Sequence, residues 1–71
     1  MLYEFDKAII DVTKIGHLVD SDINRYGFEV RPKDGTPYHS GYIDFFSAKA
    51  AAKTVYDVYL QGNLSIYQKQ Y

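Results

Sequence analysis

From Tyr26 to Arg31 the side chains alternate, with Tyr26, Phe28 and Val30 on one side of an extended chain and Gly27, Glu29 and Arg31 on the other. A period of two predicts a β-strand with one buried face. The next residues, Pro32-Lys33-Asp34-Gly35-Thr36, combine a proline that fixes one dihedral with an Asp-Gly pair that accepts positive φ, and so predict a hairpin connector. The return strand is expected over 38–46, where Tyr38, Tyr42 and Asp44 share one face and His39, Ile43 and Phe45 the other. Gly41 interrupts that strand and is a candidate bulge, which would exchange the faces beyond it. After Phe46 the period lengthens to 3.6, and a helix is expected over about 47–61. Ser47 is suited to cap its first turn, the alanine-rich run from Ala48 has high helix propensity, and Gly62 followed by Asn63 supplies the stop. Ala48, Ala51, Ala52, Val55, Val58 and Tyr59 fall on one face of this helix, and Lys49, Lys53, Tyr56 and Leu60 run along one flank. The alanines allow the first turns to lie close against a sheet.

The N-terminal part is less regular. Ala8-Ile9-Ile10 and Ile15-Gly16-His17-Leu18-Val19 are separated by Asp11-Val12-Thr13-Lys14, which predicts two short strands or one long bent strand. Ser21 to Asn24 reads as a turn, because serine, aspartate and asparagine favour local side-chain to backbone bonds. Residues 64–69 begin with an alternating pattern and predict a last edge strand or a frayed tail. Together these elements predict one α+β domain over 1–71, an antiparallel β-sheet of three to five strands lying within 3–46, with one C-terminal helix packed on one face.

The segment from Ile15 to Gly62 is a meander whose last strand, Tyr42-Ile43-Asp44-Phe45-Phe46-Ser47, runs directly into an alanine-rich helix. With Asp34-Gly35 and Phe46-Ser47-Ala48 as its punctuation, this layout resembles small phage and mobile-element proteins, some anti-CRISPR proteins among them. The resemblance implies an origin in such elements and a role as an inhibitor or modulator of a protein partner. It assigns no functional residue.

Composition adds a reason to expect binding. The chain has eight tyrosines and four phenylalanines in 71 residues, with neither tryptophan nor cysteine. A domain of this length buries only about 60% of the surface its unfolded chain exposes, so several rings must reach solvent or a partner. Tyrosine keeps a hydrogen-bonding hydroxyl in the free state and supplies contact area in the bound one. The absence of cysteine removes disulfides and thiolate metal sites, while a core this small supplies only ~3–5 kcal/mol, so association with a partner or with further copies is expected. Lys and Arg number eight against nine Asp and Glu, which gives no strong field for nucleic acid or anionic lipid. No stretch approaches the ~18 apolar residues of a membrane span, and Met1 to Asp6 does not read as a signal peptide, so a cytoplasmic location is expected.

Candidate chemistry is sparse. His39, Ser40 and Asp44 are available for a base, nucleophile and orienting carboxylate, but neighbours on a strand point to opposite faces, so His39 and Ser40 diverge unless Gly41 re-aims them. His17 lies in an apolar run and reads as a strand residue. Asp20 and Asp22 open like a calcium loop, yet Arg25 and Arg31 stand where its glycine and bidentate glutamate belong. No catalytic residue, metal or cofactor is expected. The partner-binding set is Tyr38, Tyr42, Tyr56, Leu60, Lys49 and Lys53, with the helix flank and exposed tyrosines as anchors. The alternative is a nucleic-acid-binding module in which Tyr26 and Tyr38 stack bases while Arg25, Arg31 and Lys33 meet phosphates.

Overall fold

Alternating apolar residues of three strands meet in register and so form one wall of the core. A computed structural model describes residues 1–67 as strands β1 (Leu2–Glu4), β2 (Ala8–His17), β3 (Asn24–Pro32) and β4 (His39–Phe45), helix α1 (Ala48–Leu60) and a 3₁₀ turn at Leu64–Ile66. The strands pair antiparallel in the order β1-β2-β3-β4, a plain meander, and α1 packs on one face of it to give an α+β fold. Val12 stands opposite Phe28, Ile10 opposite Val30, and Tyr26 opposite Ile43, so one side of the sheet is continuously apolar. Ala51, Ala52 and Val55 of α1 lie fully buried against it. Methyl groups at the first two positions bring the helix backbone close to the strands, and Val55 fills the wider space beyond.

Both helix ends follow from local chemistry. Ser47 is extended, and its Oγ accepts the N–H of Ala50 at 3.2 Å. At the other end Gly62 takes φ 74°, its N–H donating to the Tyr59 carbonyl while the Asn63 N–H donates to that of Val58, both at 3.0 Å. This paired closure needs a left-handed residue, and glycine adopts one without a Cβ penalty. The β3–β4 turn is likewise as its residues dictate, with Gly35 at φ 84°. Asp34 accepts from the backbone N–H and hydroxyl of Thr36 at 3.0 and 2.7 Å, and these bonds hold its carboxyl below the usual range.

Three expectations change. Gly41 is not a bulge, because the β3–β4 register runs without a shift from Asn24 opposite Phe45 to Val30 opposite His39. The glycine is there because Tyr67 crosses it: the Tyr67 carbonyl accepts the Tyr42 N–H at 3.1 Å, and a Cβ on Gly41 would enter that carbonyl. The irregularity falls instead in β2 between Lys14 and Gly16, so of the two N-terminal readings the long bent strand holds, with the short β1 added ahead of it. Residues 64–66 form a 3₁₀ turn rather than an edge strand, since Leu64 drops into the core beneath α1 and the chain must coil to place it. Residues 68 and 69 of the expected strand lie outside the described residues.

The bulge has a local use. Beyond it the faces of β2 reverse, which turns His17 to the side of Asn24 and Tyr26. His17 Nδ1 donates to Asn24 Oδ1 at 2.7 Å, and Asn24 Nδ2 donates to the Tyr26 hydroxyl at 3.1 Å. The buried tyrosine ring thereby has its one polar atom satisfied at the end of the core. A ten-residue β2 spans ~33 Å while the thirteen-residue α1 spans ~20 Å, so the β2–β3 ribbon outruns the helix. Leu18 and Val19 at its tip are exposed. Among the described residues no helix is long and apolar enough to cross a membrane.

Candidate protein-interaction surface

The helix covers one side of the sheet, and no described element covers the other. Register places Thr13 beside Gly27 and Gly27 beside Tyr42 in a row across this open face, with Arg25 beside Asp44 in the next. Gly27 leaves bare backbone at the centre, flanked by the side chains of Ile15 and Tyr42. Tyr42 is 39% exposed and stands between two shallow hollows, one towards Asp11 and Arg31, the other towards Ile15 and Phe45. Tyr38, 63% exposed, lies at the margin with the Arg31 guanidinium 5.8 Å from its ring centroid.

The charges of this face are matched in pairs. Arg25 Nε and Nη2 donate to the two carboxylate oxygens of Asp44 at 2.8 and 3.0 Å, a bidentate contact that lowers the Asp44 pKa and raises that of Arg25. Arg31 donates to Glu29 at 2.6 Å and reaches Asp11 at 3.4 Å. Lys33 meets Glu4 at 2.7 Å, and that hydrogen bond and charge hold the Glu4 carboxyl low. Such exposed pairs add little to stability. Their effect is to leave an open face that is polar in detail and close to neutral in sum.

This arrangement separates the residues of the nucleic-acid alternative. Arg25, Arg31 and Lys33 each carry a carboxylate partner, which a phosphate would have to displace. Tyr26 is 4% exposed on the core side of the sheet and cannot stack a base. Tyr38 alone of that set offers an open ring.

The partner-binding set divides as well. Tyr38 and Tyr42 lie on the open side of the sheet, whereas Lys49, Lys53, Tyr56 and Leu60 lie along the helix flank that borders β1. Tyr56 is an internal anchor rather than a free ring: it stacks on Phe5 at 4.4 Å, and its hydroxyl accepts the Lys7 N–H at 3.0 Å. The β1–β2 turn is thereby held to the helix, a contact between residues 49 positions apart that no local pattern signals. Leu60 remains 51% exposed, and Lys49 and Lys53 are exposed.

His39, Ser40 and Asp44 are not assembled. His39 faces the helix side, its ring 5.9 Å from that of Tyr59, while Asp44 is engaged with Arg25 on the open side. Asp20 and Asp22 sit in the turn between β2 and β3, where Asp20 takes φ 59°. Among the described residues no group of three His, Asp or Glu side chains converges as a metal site.

The sequence reading missed Ile15, Leu18, Val19 and Phe46 as surface residues. The adjacent pair Leu18-Val19 carried a signal, since two neighbours on an extended chain cannot both turn inward. Phe46 carried one too: it follows Phe45, whose ring it stacks on at 4.9 Å, and it precedes a helix cap that leaves it outside the core. No family model, curated protein or solved structure matches this chain.

Proposed function

We propose that this chain is a non-enzymatic protein-interaction module that lays the open face of its sheet on a protein partner and acts, as an inhibitor or modulator, by covering a surface the partner uses. The observation that carries the reading is the central row of that face, where Tyr42 and Ile15 rise on either side of the bare Gly27 backbone. Aromatic anchors around a depression are what a partner's side chains can fill, and a rim of neutralised ion pairs sets orientation without demanding a strongly charged partner. A nearly neutral face also argues against phosphate recognition, which draws on a clear excess of cations.

The test is affinity capture from a lysate of the source organism with the wild-type chain, Tyr42→Ala and Tyr38→Ala, with and without nuclease. Tyr42→Ala should lose the captured protein while its thermal unfolding stays cooperative, because the ring stands outside the core. Undiminished capture by both variants would refute the assignment of this face. Capture abolished by nuclease, with steep weakening by salt, would favour the nucleic-acid reading instead.

A further inference from the structure

We infer that the free edge of β1 and the adjoining flank of α1 form a receptor groove for an extended peptide segment carrying an acidic side chain, taken up as a fifth strand. The groove lies at the β1 border of the sheet, beside the helix, and does not depend on the reading given to the open face. Its first component is backbone. β1 is an edge strand whose Phe5 N–H donates to Ala8 and whose neighbouring Met1 carbonyl accepts from Val12, so Met1, Tyr3 and Phe5 turn their polar groups to β2. By alternation Leu2 and Glu4 direct theirs outward, where a further strand can pair with them.

The second component is the space beside that edge. A groove of about 360 Å³ opens between β1 and α1, lined by Leu2, Tyr3, Glu4, Phe5, Lys49 and Lys53. Tyr3 stands opposite buried Ile10, so it belongs to the helix side of the sheet, as does Phe5, on which Tyr56 closes the inner wall. Side chains of an added strand that point to this side meet aromatic rings first and the two lysines beyond.

Charge selects the occupant. Among the described residues Lys49 and Lys53 have no carboxylate within ion-pairing distance, in contrast to Arg25, Arg31 and Lys33. Glu4, the one acid lining the groove, is held by Lys33. Two uncompensated cations one helical turn apart beside an unpaired strand edge suit a peptide with an apolar residue and, two positions along, a carboxylate on the same face. A second copy of the chain pairing β1 to β1 is the rival occupant, and it brings another Lys49 and Lys53 rather than a free acid.

A random nonapeptide display library selected on the immobilised chain supplies the probe. Enriched sequences should pair an apolar with an acidic residue two positions apart. A synthetic enriched peptide should protect the Leu2 and Glu4 amides from hydrogen exchange in the ¹⁵N-labelled chain. Reversing both cations, Lys49→Glu with Lys53→Glu, should weaken that peptide about tenfold or more, because two exposed attractions become repulsions, and should leave the melting curve in place. Leu2→Pro, which removes an edge donor, should weaken it independently of charge. Tyr42→Ala should bind the peptide as the wild type does. The inference is overturned by selection without acidic enrichment or without any enrichment, by binding that leaves the Leu2 and Glu4 amides unchanged, by undiminished binding after the double reversal, or by a peptide-free dimer that itself protects those two amides.

Discussion

Gly41→Ala puts the account of the β4 edge at risk. A Cβ at this position would stand 2.9 Å from Phe28 Cζ and inside the Tyr67 carbonyl. Phe28 is packed in the core opposite Gly41 and has little room to retreat, so the crossing segment must yield. Its release removes the Tyr42 N–H to Tyr67 carbonyl bond, worth about 0.5–1.5 kcal/mol, and the edge-on contact of the Phe28 and Tyr67 rings at 6.4 Å, worth about the same. The sum, about 1–3 kcal/mol, equals the usual cost of overpacking a core. Set against a net stability of ~3–5 kcal/mol, it lowers Tm by about 4–24 °C at 4–8 °C per kcal/mol. Gly27→Ala is the internal control. There the new methyl would lie 3.8 Å from Ile15 Cγ2 and 3.9 Å from Tyr42 Cε1, in ordinary contact, so the loss of unfolded-state freedom should stabilise the chain by about 0.4–1 kcal/mol. Urea unfolding followed by circular dichroism compares the two, and amide exchange reports on the Tyr42 N–H. If Gly41→Ala unfolds at the wild-type midpoint with that amide still protected, Tyr67 does not fill the space assigned to it.

Two further outcomes follow from the geometry. Ser47→Ala removes the acceptor of the Ala50 N–H and should cost about 1 kcal/mol, read as a lower urea midpoint at unchanged slope; an unaltered midpoint would mean that water caps the turn equally well. Acid should weaken the fold through Glu4, Asp34 and Asp44, whose carboxyls are lowered by Lys33, Thr36 and Arg25 respectively. A depressed folded pKa means that the unfolded chain binds more protons, so this contribution is complete above the ordinary carboxylate range near pH ~4 and is lost as pH falls through the folded values. Asp44→Asn should therefore flatten the acid limb of a stability-against-pH curve, and a limb of unchanged slope would show that the Arg25 pair contributes nothing there.

The elements most legible in the sequence were those fixed by local chemistry. Asp34-Gly35, Ser47 and Gly62 act within a few residues, and β3, β4 and α1 stand close to where their periods of 2 and 3.6 place them. The inward faces of Tyr26, Phe28, Val30 and Ile43 were legible for the same reason. What escaped depends on distant contacts. Gly41 looks like a bulge because a glycine inside a strand has two physical causes, extra length or close approach of another chain, and only the position of Tyr67 separates them. Tyr56 looks like a surface anchor because its flank is defined by the helix alone, and Phe5 lies 51 residues earlier. Tyr42 kept its expected face because the uninterrupted register preserved alternation along β4, and Tyr38, just ahead of that strand, lies beside the Arg31 guanidinium on the same side. The open face itself could not be read from periodicity, which tells which residues point away from the core and not whether another layer lies over them.

The two borders of the sheet differ in what they permit between molecules. A meander with both borders open can add copies end to end, β4 of one against β1 of the next, and such a head-to-tail contact has no reason to stop growing. Here the amide at the middle of β4 is already occupied by the Tyr67 carbonyl, and the glycine beside it keeps that carbonyl close. A strand pairing with β4 would have to displace that crossing, whereas no described segment lies along the outer edge of β1. The crossing at Tyr67 thus opposes strand addition at β4, and its displacement would leave both borders of the sheet open to a further strand.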